Sequence, residues 1–164
     1  GGVREALGVP ALVLGAGYIG FGAFAADTGF SLVLAVLCTV TVWALPGQLV
    51  LLEMSNLGAP AFAIVTTVML TAARFLPMTV SLMPMLRWPG EPAWRYFLAA
   101  HLLAMTGWAV AMRRCPDLPP ATRLSYFLGF SATMVLAAAV ATAIGFAASD
   151  RLGTTLKLGF VFMN

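Results

Sequence analysis

Polar positions are sparse along this chain and fall at regular intervals. Asp, Glu, Lys and Arg are absent from residues 6–26, 30–52, 54–73, 75–86, 96–112 and 124–149. About 20 apolar residues of helix cross the hydrocarbon of a bilayer. A backbone in lipid must satisfy its own hydrogen bonds, which a helix does. Barrel strands would show alternating segments of about ten residues, and none is present. Turn signals separate the runs: Thr28-Gly29, the stretch from Ser55 to Pro60, Arg87-Trp88-Pro89-Gly90-Glu91-Pro92, the stretch from Arg113 to Pro120, and residues 150–153. The pattern predicts an all-α, polytopic transmembrane helical bundle with broken or kinked helices. It forms a single domain over residues 1–164, with about five spans and the start of a sixth at 156–164. Further spans are expected beyond that end. Residues 61–86 are the irregular part, with Arg74 inside and prolines at 77 and 84. They form either one tilted, kinked span or a span followed by a partly re-entrant piece.

Composition supports lipid as the main solvent. The chain is 61% hydrophobic and 9% charged, whereas an ordinary soluble domain is about 45–50% apolar and about 25% charged. The basic residues are scattered, which argues against a nucleic-acid partner. With the N-terminus inside, Arg4, Arg113, Arg114 and Arg123 face the cytoplasm, while Arg87, Arg95, Arg151 and Lys157 face out. The distribution of positive charge therefore leaves the orientation open. Cys38 and Cys115 form no CxxC pair and no disulfide framework. No Ser/His/Asp set, carboxylate pair or HExxH motif is present, so an enzyme is not expected. Neither is a cofactor or a metal, since the chain has a single His.

The candidate chemistry lies inside the spans. Gly15-Ala16-Gly17-Tyr18-Ile19-Gly20 matches the dinucleotide fingerprint literally, but no acid stands at 36–44 to hold a ribose. Gly17 and Gly20 are better explained by close helix packing, alone or combined with a substrate path. Pro46-Gly47-Gln48 interrupts the second span. Such a break either shapes packing only or builds a substrate site, because irregular backbone is tolerated where it is buried or lines a cavity. The Gln48 amide needs a partner in lipid and favours the second reading. Arg74 either snorkels from a helix end or holds an acid or a substrate carboxylate. Glu53 is the internal partner expected for it. Glu53 and His101 are the proton-coupling candidates, imidazole because it titrates near neutral pH. His101 otherwise serves helix packing. Most span hydroxyls, Thr106 included, are expected to bond to backbone.

The segments also resemble, in order, those of the AzlC family, the large subunit of two-component branched-chain amino-acid exporters. "GVREALGVPALVLGAGYIGFGAFAADTGFS" is similar to that family's glycine-rich first segment. "WALPGQLVLLEM" stands at its Ala-Ser-Gln-Phe stretch, with Gln48 on the Gln. "LTAARFLPMTVSLMP" stands at its Asn-Leu-Arg-His segment, with Arg74 on the Arg. "YFLGFSATMVLAAAVATAIG" is similar to its Tyr-Phe-Leu-Gly helix. Ala72 and Phe75 replace the Asn and His beside the Arg, and Ala104-Met105 replace an Asp-Glu pair before a retained Thr106. These departures remove polar groups that could handle substrate or protons. The resemblance implies a multi-pass subunit in the bacterial inner membrane that exports branched-chain or similar apolar amino acids. It also implies a small AzlD-like membrane partner. Gln48, Arg74, Pro46, Gly47, Gly17, Gly20 and Thr106 are then the substrate-site candidates. The alternative is an assembly subunit with no substrate site of its own.

Overall fold

A computed structural model of the chain describes residues 2–151. The α-helices in order are α1 (Gly2–Ala6), α2 (Val9–Asp27), α3 (Leu32–Val42), α4 (Leu45–Asn56), α5 (Ala61–Ala72), α6 (Phe75–Leu86), α7 (Ala93–His101), α8 (Met105–Arg114) and α9 (Pro120–Ala147). Short 3-10 turns at Cys115–Asp117 and Ser149–Arg151 follow α8 and α9. Among the described residues there is no strand. The expected start of a sixth span, at 156–164, lies outside them.

Helix α9 is the spine. Its 28 residues extend about 42 Å at 1.5 Å per residue. It opens on Pro120, where a missing N–H costs nothing because the first turn has no intrahelical acceptor. Buried side chains run from Leu124 to Gly145 along its length. Helix α2 lies against α9 in the most extensive contact of the fold. At the crossing, a Cβ on Gly22 would run into the Thr142 carbonyl, and a Cβ on Gly145 would run into the Ile19 carbonyl. Backbone therefore touches backbone there. The glycine-rich run does serve close packing, and at Gly22 the crossing leaves no room for a side chain. Gly17 and Gly20 are buried in the same helix, and Gly15 faces open space. One helix runs through the whole motif, without the strand–turn–helix a dinucleotide site requires.

Two cores share this spine. Phe21, Leu52, Phe130 and Met134 belong to the larger, among α2, α3, α4 and α9. Leu82, Leu86, Leu103 and Phe127 belong to the smaller, which joins α6 to α9. Thr39 ties α3 to α9 through a 2.9 Å hydrogen bond between its hydroxyl and that of Thr142. Cys115 is buried under α8. Burial pushes its thiol pKa up, and the charge of Arg123 pulls it partly back. The loop between α6 and α7 is fastened by Tyr96, whose hydroxyl accepts from the Trp88 N–H and donates to the Trp88 carbonyl. An Arg95–Glu91 ion pair spans the start of α7.

Among the described residues, α9 is long and apolar enough to cross a membrane by itself. Helices α5 and α6 pass the same test as a pair, bent by 49° at the break between them. The bend falls at Ala73-Arg74. Pro77 dictates it: the ring would clash with the Ala73 carbonyl in a continuous helix, so α6 begins anew with Pro77 in its first turn. The runs at 30–52 and 96–112 are each divided, into α3 with α4 and into α7 with α8.

Candidate functional site

The first division lies at Trp43-Ala44. Sequence alone pointed to Pro46-Gly47 as the breaker, and the break falls just upstream of them. A proline at 46 would press its ring on the Val42 carbonyl in a continuous helix, and α3 ends at Val42. Pro46 instead sits in the opening turn of α4, where it is well tolerated. The connection passes through Trp43 at φ 42° and ψ 34°, the left-handed region. This is the one non-glycine with positive φ among the described residues. A bulky side chain there carries strain of about 1–2 kcal/mol, which persists only where surrounding contacts fix it. Those contacts are a stacked Tyr18 ring at 5.9 Å and a hydrogen bond from the Trp43 Nε1.

That hydrogen bond runs to the second division. Trp43 Nε1 donates to the Leu102 carbonyl at 3.1 Å, and His101 Nε2 lies 3.1 Å from the Val40 carbonyl, as its donor. The two contacts are reciprocal. Val40 stands four residues before Ala44, and Leu102 four before Thr106. In each broken helix a carbonyl near the interruption is met by a side chain from the other broken helix. Helix α8 restarts after Ala104, an extended residue with no side-chain cap. The first amides of α8 therefore have no intrahelical acceptor. No proline or glycine stands at Leu102-Leu103-Ala104 to mark this division.

Gln48 lies on the first turn of α4, 0% exposed. Its Nε2 donates to the Cys38 carbonyl at 3.1 Å, bridging across the interruption to α3. Its Oε1 is buried with no hydrogen-bond partner, and Tyr18 lies beside the same amide. Gly47 is buried where α4 meets α5, and a Cβ there would stand 3.1 Å from the Thr71 hydroxyl.

Between the divisions is a small cavity of about 10 Å³, lined by Leu14, Trp43, Leu102, Ala104, Thr106, Gly107, Phe130, Ser131 and Met134. That is room for roughly a single water. Ser131 is 2% exposed, and its Oγ has no partner. The contrast with the other span hydroxyls is sharp. Thr39, Thr41, Thr66, Thr67, Thr79 and Thr133 each donate to the carbonyl four residues back. Ser131 was not singled out from sequence, because nothing in "FLGFSATMV" separates it from those ordinary back-bonded hydroxyls.

The remaining sequence candidates are placed elsewhere. Arg74 is exposed at the α5–α6 bend, with its guanidinium 5.1 Å from the Phe75 ring centre. Glu53 is exposed on α4, and the expected Glu53–Arg74 ion pair does not form; Glu91, not Glu53, is an acid seen paired with an arginine, Arg95. Pro46 is exposed. His101, by contrast, is drawn into the tie between the divisions, and Thr106 lines the cavity. Gln48, His101 and Thr106 thus gather around the facing interruptions, whereas Arg74 and Glu53 do not join them.

The family profile described as "AzlC protein" matches residues 10–152, which include every element of this site. The chain belongs to the AzlC family. Members of that family are generally components of branched-chain amino-acid exporters and generally work with AzlD, a membrane partner. No curated protein and no solved structure matches the chain.

Proposed function

We propose that this AzlC protein is a multi-pass subunit of the bacterial inner membrane that exports branched-chain or similar apolar amino acids, with its substrate site at the facing helix interruptions. The observation that carries the reading is the pair of reciprocal contacts, Trp43 to Leu102 and His101 to Val40, set beside two buried polar atoms without partners. Interrupted helices that meet near the middle of a bundle are a recurrent way of exposing backbone groups to a substrate. Leu14, Phe130 and Met134 supply apolar surface for a branched side chain. In this reading α3 with α4 and α7 with α8 are spans broken near their middles, so the bundle has five spans over residues 9–147. The outer surface fits lipid: Phe62 is 83% exposed, Val80 74% and Phe97 77%, large apolar side chains that lipid would cover.

The protein acts as a transporter subunit and not as an enzyme, alternating access by rocking around the interruptions. A small AzlD-like subunit completes it. Helix α5, which has no fully buried side chain and exposes Phe62, Val65, Met69 and Leu70, offers a face for that subunit. The same face favours a second reading, an assembly subunit without a substrate site. There, Gln48→Ala and Arg74→Ala would weaken partner binding and leave transport by the reconstituted complex intact. The deciding experiment is amino-acid counterflow in proteoliposomes, with and without the co-expressed small subunit. Labelled valine should accumulate against unlabelled valine when the pair is present. An absence of flux for valine, leucine, isoleucine and methionine in both preparations would sink the transporter reading.

A further inference from the structure

We infer that the start of α8 and the Ser131 hydroxyl form the carboxylate subsite, and that the protein recognises its substrate by the carboxylate rather than by the ammonium group. This rests on the transporter reading and assigns its chemistry. The first amides of α8, from Met105, Thr106 and Gly107, carry no intrahelical bond, and Ala104 gives them no side-chain cap. Free amides at a helix start, reinforced by the helix dipole, suit an anion. Ser131 Oγ is the independent observation. It is 98% buried, has no acceptor, and stands 3.5 Å from where a Cβ on Gly107 would sit, against the first turn of α8. A hydroxyl left without its usual backbone acceptor is free to donate to a ligand. The cavity wall contains no acidic side chain to repel a carboxylate or to pair with an ammonium.

The cavity admits only a water-sized group, so a carboxylate enters by displacing a wall. The Trp43 ring is that wall. It lines the cavity, and its Nε1 bond to Leu102 must break for it to move. A branched-chain 2-oxo acid keeps the carboxylate and the side chain and lacks the ammonium. It therefore belongs to the ligand class this site accepts.

The test is calorimetric binding to the purified chain with its small subunit, using valine, 2-oxoisovalerate and isobutylamine. Valine and the oxo acid should bind and the amine should not. Ser131→Ala should weaken both acids at least about tenfold, the effect of one hydrogen bond to a charged group. Because the lost hydroxyl has no partner, the variant should melt no lower than the parent. Binding of the amine but not of the oxo acid overturns the inference, as do unchanged acid affinities in Ser131→Ala. The three ligands decide the matter on the parent protein even if the variant misfolds. Valine binding and counterflow without oxo-acid binding overturn this inference and leave the transporter reading standing. No valine binding together with no counterflow overturns both.

Discussion

Gly145→Val should leave little folded protein to assay. Gly145 faces the Ile19 carbonyl across the α2–α9 crossing, and even a Cβ would overlap that backbone. A flexible side chain could move aside, but a helix backbone cannot without pulling α2 off the spine. Gly22→Val should fail in the same way, against the Thr142 carbonyl. Overpacking a tight core costs about 1–3 kcal/mol, occasionally more, and a backbone-to-backbone clash belongs at the upper end. Size-exclusion profiles and melting of the detergent-solubilised protein measure the effect. Gly15→Ala, where a Cβ meets open space, should keep the monodisperse peak and gain up to about 1 kcal/mol of helix propensity. A Gly145→Val variant with the parent's melting temperature would mean that the two helices do not cross as described.

Gln48→Leu should be the functional counterpart, folded but inactive. Leucine has nearly the same volume, so the core around Leu52 stays filled. The variant loses the donor to the Cys38 carbonyl and also the Oε1 that has no partner. Removing an unsatisfied buried acceptor offsets the lost bond, so stability should change by less than about 1 kcal/mol. Counterflow should fall at least about tenfold, because the amide that ties α4 to α3 across the interruption beside the site is gone. Parallel measurement of flux and melting temperature separates the two effects. Parent-level flux in Gln48→Leu would remove Gln48 from the site.

Residue types gave a good guide to the elements and a poorer one to how they meet. The all-helical architecture was legible because uncharged runs of this length permit little else. The interruption in the second run was legible from Pro46, since the clash of a proline ring with the carbonyl four residues back is a local effect, and α3 does end at Val42. The bend at Arg74 was legible from Pro77 for the same reason. The division at 102–104 was not, because Leu102, Leu103 and Ala104 are good helix formers. That interruption is held from outside by Trp43 and His101, through contacts that are distant in sequence. The divisions also explain why few single helices are long enough to span a membrane: the runs at 30–52 and 96–112 are cut into pieces of 9 to 12 residues. For the site, Gln48 stood out as an amide among apolar residues. Arg74 stood out for its charge, yet it lies at an exposed bend where its side chain reaches the surface. Ser131 was hidden because hydroxyls in spans are common, and its distinction is the absence of a bond.

If substrate sits between the two facing interruptions, it shields a thiol placed there from modification. With Cys38 and Cys115 replaced by alanine, Thr106→Cys places a single thiol on the cavity wall, and Thr122→Cys places one on the exposed first turn of α9. In transport-competent proteoliposomes, valine should slow modification of Thr106→Cys by a methanethiosulfonate reagent and leave Thr122→Cys unaffected. Equal rates at Thr106→Cys with and without valine, while counterflow continues, would contradict the claim and place the substrate elsewhere in the bundle.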